Sequence, residues 1–272
     1  MGLEQLAADG GVVVLSGAGI STDSGIPDYR GETGRVRPAA PMTYQVFTGS
    51  AQARQRYWAR SHLGWRHIRG AEPNAGHLAV AALERAGVVD AVITQNVDGL
   101  HGAAGSAAVV ELHGALDRVV CLECRAPSSR RSLEERLTSA NPGFEWADLP
   151  IKPDGDVDLE AVQDFVVAGC VACGGVLKPD VVFFGETVPR DRVDRSLALV
   201  ASARCLLVLG SSLTVMSGYR FVLQAARLGI PVAIVNQGAT RGDAQASLKV
   251  DAPLGDVLPG LVERLGTLGR TG

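Results

Sequence analysis

Four apolar runs in this 272-residue chain stop abruptly at small or polar residues. Val12–Leu15 runs into Ser16-Gly17-Ala18-Gly19, and Val89–Thr94 into Gln95-Asn96. Cys205–Leu209 runs into Gly210-Ser211-Ser212, and Pro231–Val235 into Asn236-Gln237-Gly238. Short continuous apolar runs are the pattern of strands covered on both faces. Helical stretches separate them: one capped by Asn74 and running to about Ala86, one near Asp191–Ser202, one near Tyr219–Leu228, and a tail over Asp256–Leu265. In the first of these, Leu78, Ala82, Leu83 and Ala86 are expected to form the buried face. Helix followed by apolar strand, repeated, predicts an α/β fold with a parallel sheet. Ligands of such sheets lie beyond the carboxyl ends of the strands. Four polar strand ends along one sheet predict a long ligand such as a dinucleotide.

The first strand end opens the stretch GAGISTDSGIPDYR, Gly17–Arg30. Glycines there let the backbone turn sharply, and N–H groups in such a turn can cradle a pyrophosphate. The usual third fingerprint glycine is missing, since position 22 is Thr. Ser21, Thr22, Asp23, Ser24, Asp28 and Arg30 crowd the loop with polar groups. Gln95–His101 forms a second polar loop, expected beside the first in space.

Bulk numbers exclude several classes. The net charge is −3, from 26 basic and 29 acidic residues, so nucleic acid is not an expected partner. No apolar run approaches the ~20 residues that span a bilayer. The acidic N-terminal segment reads as neither a secretory signal nor a transit peptide. A cytoplasmic location is expected, with no membrane partner; the oligomeric state is not readable. Hydrophobic residues make up 46%, enough for a sizeable core.

The α/β pattern breaks twice. Residues 38–70 carry arginines and aromatics and read as a small helical module. From Ala115 to Lys178 two Cys-x-x-Cys pairs and a long loop replace the pattern, which is expected to resume with a strand over Val181–Phe184. Cys121, Cys124, Cys170 and Cys173 supply four thiolates for tetrahedral zinc, with 45 residues between the pairs. Four protein ligands leave no open position, so the zinc is structural. A redox pair and a nucleic-acid finger are the alternatives: the first usually has a single pair, and the second lacks a basic stripe. Cys205 reads as a packing residue. The predicted division is a Rossmann domain of residues 1–37, 71–114 and 179–272, with a helical module, 38–70, and a zinc module, 115–178.

Asn96, Asp98 and His113 would converge on the first loop. His113 is the natural general base, because imidazole titrates near neutral pH. His62, His67 and His77 read as surface or helix positions, and His101 as a local brace.

Taken together, GAGISTDSGIPDYR, TQNVDGLH, ELHG, the two cysteine pairs, KPDVVFFGE and GSS resemble the sirtuins, NAD-dependent protein lysine deacylases. The motifs stand in family order from about Gly11 to Leu265. SLTVMSGYRF and RQRYWAR look most like the class II, sirtuin-4-like branch. Tyr29 stands where many sirtuins have Phe. The resemblance implies an α/β, Rossmann-like parallel sheet with a smaller inserted domain made of a helical and a structural zinc module. It implies NAD as cosubstrate, one zinc ion, and acyl-lysine proteins or peptides as partners.

By the same resemblance Gly17, Ala18, Gly19, Ile20, Ser21, Tyr29 and Arg30 belong to the NAD loop. Ala18, Ile26, Asp28, Asn96, Val97 and Asp98 would form the nicotinamide pocket, and Gln95 would reach the ribose. Gly210, Ser211, Ser212, Asn236, Gln237, Gly238 and Leu254 would hold the rest of the dinucleotide. His113 and Asn96 are the expected catalytic residues. The acyl oxygen would attack the ribose carbon as nicotinamide leaves; His113 would deprotonate a ribose hydroxyl, and the acyl group would pass to ADP-ribose. The peptide would add as a strand against Val181–Gly185 and the segment near Met216–Gly218, with Val182, Phe184 and Gly185 at the acyl-lysine. Tyr57 and Arg60 match a Y-x-x-R pair that reads acidic acyl chains such as succinyl. Mono-ADP-ribosyl transfer and a non-catalytic NAD- and zinc-dependent binding module are the competing functions. A dehydrogenase would lack its second catalytic domain.

Overall fold

The computed structural model describes residues 2–28, 42–144 and 162–268. In chain order the elements are α1 (Leu3–Ala7), β1 (Val12–Ser16), α2 (Tyr44–Gly49), α3 (Ala51–Gly70), α4 (Ala75–Arg85), β2 (Val89–Thr94), α5 (Leu100–Ala103), β3 (Val109–Glu111) and β4 (Gly114–Cys121). They continue with β5 (Pro127–Ser129), α6 (Arg130–Ala140), β6 (Leu177–Val181), α7 (Arg190–Ser202), β7 (Cys205–Leu209), α8 (Met216–Arg227), β8 (Val232–Val235), β9 (Leu248–Val250) and α9 (Leu254–Leu268).

Six strands form one parallel sheet in the order β3-β2-β1-β7-β8-β9. From β1 the chain builds outward in one direction and then, from β7, in the other. The gap between β1 and β7 is therefore the topological switch point, where a crevice opens at the strand ends. Side chains of β1 alternate between two layers. Val12 and Val14 join Ala79, Val80, Leu83, Leu258 and Leu261 of α4 and α9. Val13 and Leu15 join Val200 of α7 and Phe221, Val222 and Ala225 of α8. Both faces are covered, which is why the strand sequence is apolar throughout.

The second sheet has three antiparallel strands in the order β5-β4-β6. Its core is shared with the helical module: Phe47, Tyr57, Trp58 and Ile68 pack with Leu116, Val119, Leu133, Leu137, Phe165, Leu177 and Phe183. A buried ion group ties the same two pieces together. The Arg130 guanidinium lies 5.5 Å from the Trp58 ring and 5.0 Å from the Trp65 ring. Arg130 pairs with Glu134 one turn on, and Glu134 meets His62 Nδ1 at 2.6 Å.

Several expectations need correction. The strand expected at Val181–Phe184 is Leu177–Val181, and it pairs with β4 in the small sheet. The return to the large sheet therefore comes after Val181, later than residue 179. In α4, Leu78 is 52% exposed and Ala86 is exposed, while His77, Ala79, Val80 and Leu83 are buried. This helix is covered on more than one side, so its apolar stripe misled. His62 and His77 are helix positions, on α3 and α4, but both are buried and neither is at the surface. Met216–Gly218 is the first turn of α8 and offers no strand edge; the extended backbone ends at Val215.

Candidate active site

Three glycines let the ends of β1 and β7 meet. The Gly19 N–H donates to the Gly210 carbonyl at 2.8 Å, and the Gly17 N–H to the Leu209 carbonyl at 3.0 Å. A Cβ on Gly17 would stand 2.7 Å from Ser211 Cβ, and one on Gly19 would stand 2.8 Å from the Gly210 carbonyl oxygen. A Cβ on Gly210, whose φ is +58°, would stand 2.5 Å from the Ile20 nitrogen. The floor of the crevice is thus main chain packed on main chain, with no room for a side chain between the two strand ends.

The second loop is laced to the first. Asn96 Nδ2 donates to the Gly17 carbonyl at 3.1 Å and to Ser21 Oγ at 3.0 Å. Ser21 Oγ donates to Asp98 Oδ2 at 2.7 Å, and Asp98 Oδ1 accepts the Leu100 N–H at 2.9 Å, capping α5. Gln95 Nε2 donates to Ser211 Oγ at 2.8 Å, joining β2's end to β7's end. The predicted convergence of Asn96 and Asp98 on the glycine loop is what the structure contains.

His113 lies at the corner between β3 and β4. Its Nδ1 is 2.9 Å from the Gln95 carbonyl oxygen, and its Nε2 is 2.9 Å from Ser217 Oγ. A carbonyl only accepts, so Nδ1 carries the proton and neutral Nε2 presents a lone pair. Burial pushes the imidazole below its ordinary 6.5; the Gln95 carbonyl opposes this, while Arg192 and Arg220 add to it. The residue after it must be glycine: at φ +82° a Cβ on Gly114 would stand 1.8 Å from the Asp180 carbonyl oxygen. That packing explains the His-Gly pair in ELHG.

The other expected site residues fall as follows. Ala18 and Ile20 form a 3₁₀ turn with Gly19, but the Ile20 side chain points into the core at 2% exposure, as Ile26 does at 5%. Val97 packs in the small-domain core. Asp28 is half-buried, and Tyr29 and Arg30 lie outside the described residues. Ser212 Oγ is 3.0 Å from Thr214 Oγ1. Asn236 Nδ2 donates to the carbonyls of Gln237 at 2.7 Å and Gly238 at 3.3 Å, bracing the end of β8. Leu254 starts α9 with its side chain in the core, so only its backbone can face the crevice. Phe184 is exposed beside Gly185, and α2 fixes both: the Tyr44 N–H donates to the Phe184 carbonyl at 3.0 Å, and Gln45 Nε2 to the Gly185 carbonyl at 3.0 Å. Tyr57 is buried with its ring centroid 5.3 Å from those of Phe47 and Phe183; Arg60 is half-buried one turn along α3.

Two contributors escaped the sequence reading. Asn74, read only as a helix cap, also donates from Nδ2 to the Ile20 carbonyl at 2.7 Å and to Ser24 Oγ at 3.0 Å, so α4 holds the glycine loop. Below Asn96, His101 Nε2 meets Ser16 Oγ at 2.9 Å, Ser16 donates to Thr94 Oγ1, and Thr94 accepts the Asn96 N–H at 3.1 Å. This gives the predicted brace at His101 its partners.

The Sir2 family model matches residues 17–217. The chain belongs to the Sir2 family, the sirtuins. Among its relatives are NAD-dependent protein deacetylase 1 of Streptomyces coelicolor, 63% identical over 259 residues (94% of this chain, 87% of that one), and NAD-dependent protein deacetylase 1 of Mycobacterium avium, 53% identical over 262 residues (94% and 92%). Among solved structures, a mutant Sir2 homologue in complex with ADP-ribose is 30% identical, covers 99% of this chain and 98% of its own, and superposes with a TM-score of 0.78. A Sir2–p53 peptide–NAD⁺ complex is 31% identical over 94% of this chain and 93% of its own, with a TM-score of 0.71.

In this sirtuin the four cysteines predicted as zinc ligands come together, with their sulfurs within 4.8 Å of one another. Cys121 and Cys173 Sγ are 3.5 Å apart, and Cys124 and Cys170 Sγ are 3.7 Å apart. Thiolates on a tetrahedral zinc at about 2.3 Å stand about 3.8 Å from each other, so the cluster fits that ion. Arg125 at φ +62° and Gly174 at φ +74° turn the two knuckles.

Proposed function

We propose that this sirtuin is an NAD-dependent protein lysine deacylase of the class II, sirtuin-4-like branch, which removes acetyl groups and prefers acyl chains ending in a carboxylate. Two units carry it: the parallel sheet with its helices, and a small domain built from the helical and zinc modules. The observation that carries the reading is the imidazole of His113, held at Nδ1 by the Gln95 carbonyl so that Nε2 is the basic nitrogen. The names of the relatives, all protein deacetylases, support the same activity.

NAD, when bound, supplies a ribose carbon activated by a cationic leaving group. Gly17, Gly19 and Gly210 let the ends of β1 and β7 meet main chain to main chain beneath the loop that would cradle a pyrophosphate, and the Ser21, Asn96 and Asp98 side chains give the nicotinamide end its donors and acceptors. Gln95, Ser211 and Asn236 are placed along the strand ends for the sugars. His113 takes a proton at Nε2 from a substrate hydroxyl. Val182 and Phe184 line the acyl-lysine passage, and the peptide runs between residues 182–185 and the segment before α8, where Val215 is extended. The zinc cluster holds the small sheet and takes no part in proton transfer. Tyr57 packs on Phe183 with Arg60 one turn further along α3, and an Arg fork can take a carboxylate in two hydrogen bonds.

The test is a product assay by mass spectrometry with NAD and two peptides that differ only in acetyl or succinyl on one lysine. Faster turnover of the succinyl peptide, lost about ten- to hundredfold in Arg60→Met, is expected for a charge-assisted pair. Preference for acetyl would return Arg60 to a helix-surface role. NAD consumption with neither peptide deacylated would put ADP-ribosyl transfer first.

A further inference from the structure

Ser217 occupies the nitrogen that the reaction needs. Its Oγ is 2.9 Å from His113 Nε2, and because Nδ1 donates to Gln95, the serine hydroxyl is the donor in this pair. Ser217 is the second residue of α8. Beside it Gly218 packs on Gln95: a Cβ there would stand 2.4 Å from Gln95 Oε1. One residue, Gln95, therefore fixes both the ring of His113 and the turn that carries Ser217. Val215 and Met216, on the same turn, are 38% and 47% exposed. On the other side the His113 carbonyl accepts the Val182 N–H at 2.8 Å, two residues before exposed Phe184. The base sits between two walls that present apolar side chains outward.

We propose that Ser217 is a positioning residue for His113: its hydroxyl fills the Nε2 lone pair in the resting protein, keeps the ring aimed, and yields that place to the substrate hydroxyl. This rests on the reading of His113 as the base. In the resting pair the serine O–H bond stays intact. When the substrate hydroxyl arrives, its own O–H bond breaks, the proton goes to Nε2, and the electron pair stays on the substrate oxygen. Ser217 keeps its proton and turns away. The wall of the peptide groove and the base are thereby linked through one hydroxyl.

The test uses the ligand-free full chain and diethyl pyrocarbonate, which carbethoxylates an unprotonated imidazole nitrogen. Modification of His113 is followed by peptide mass spectrometry, with exposed His67 as the internal reference. Ser217→Ala should modify His113 several-fold faster than the parent, and Ser217→Thr, which keeps the hydroxyl, should restore the parental rate. Ser217→Gly replaces the Ala variant if that variant loses its unfolding transition. Equal rates at His113 in parent and hydroxyl-deleted protein would overturn the proposal. Deacetylation by His113→Ala is measured alongside. Full activity there would remove the base assignment and this inference together. An inactive His113→Ala with unchanged modification in Ser217→Ala would remove only this inference.

Discussion

Ser21 Oγ donates to Asp98 Oδ2 at 2.7 Å, across 77 residues of sequence. It also accepts from Asn96 Nδ2, so one hydroxyl at 1% exposure joins both polar loops. Ser21→Ala leaves a carboxylate oxygen and an amide hydrogen short of a partner, which costs about 1–3 kcal/mol when buried. Isothermal titration with NAD should show affinity reduced about tenfold or more, with zinc content unchanged. Unaltered affinity would detach this pair from the cosubstrate.

The pH profile should carry the mark of His113. Its pKa is depressed, so the neutral base persists below 6.5, and the acid limb of kcat/KM should have its midpoint under that value. The charged groups bearing on the ring are Arg192 from α7 and Arg220 from α8; Arg192 is itself paired with Asp180 of β6 at 3.1 Å. Replacing Arg192 or Arg220 by Gln removes a positive neighbour and should move the midpoint up. His113→Ala should lose about 10²–10⁴-fold in deacetylation. A midpoint at or above 6.5 in the parent would contradict this electrostatic account.

Metal content is a direct check on the cysteine cluster. Inductively coupled plasma mass spectrometry should find one zinc per chain, and Cys121→Ser should lose it. Removing a metal ligand belongs to the severe class of substitutions, so the unfolding midpoint should fall by about 10 °C or more. Retention of zinc and midpoint in Cys121→Ser would rule the cluster out as the metal site.

Acid should destabilise the fold through the histidines under the Asn96 loop. His101 is pushed down to about 3 by burial and by His77 beside it. The unfolded chain then binds a proton that the folded one refuses. Stability is full above about 6.5 and falls as pH drops toward 3, by about 1.4 kcal/mol per unit for one such group. In urea titrations His101→Gln should flatten that slope by about one proton. An unchanged slope would assign the acid sensitivity elsewhere.

The large sheet was legible because its four inner strands, β2, β1, β7 and β8, are covered on both faces and end in recognisable polar turns. The crevice followed from the small and polar residues at four strand ends, and the zinc cluster from cysteine spacing. What could not be read was burial of polar side chains. Lys178 is 4% exposed, with Nζ 3.0 Å from Glu186 and 4.9 Å from the Phe183 ring, so a strand containing a lysine and a proline looked like a connector. Pro179 is tolerated because β6 is an edge strand of the small sheet. His62 pairs with Glu134 of α6, well over a helix length further along the chain, and no local pattern announces such a partner. Ser217 was read only as part of the Met216–Gly218 segment beside the peptide, because nothing local announces its contact with His113, 104 residues away.

A crevice floor made of Gly17, Gly19 and Gly210 has no side chains to vary. Substitution there would part the ends of β1 and β7 before it could re-tune a fit, since every added carbon meets backbone or Ser211. On the reading proposed above, drift or design toward a different cosubstrate would work at the rim, through Gln95, Ser211 and Asn236. The floor keeps two strand ends in register; choice of ligand is left to the side chains around it.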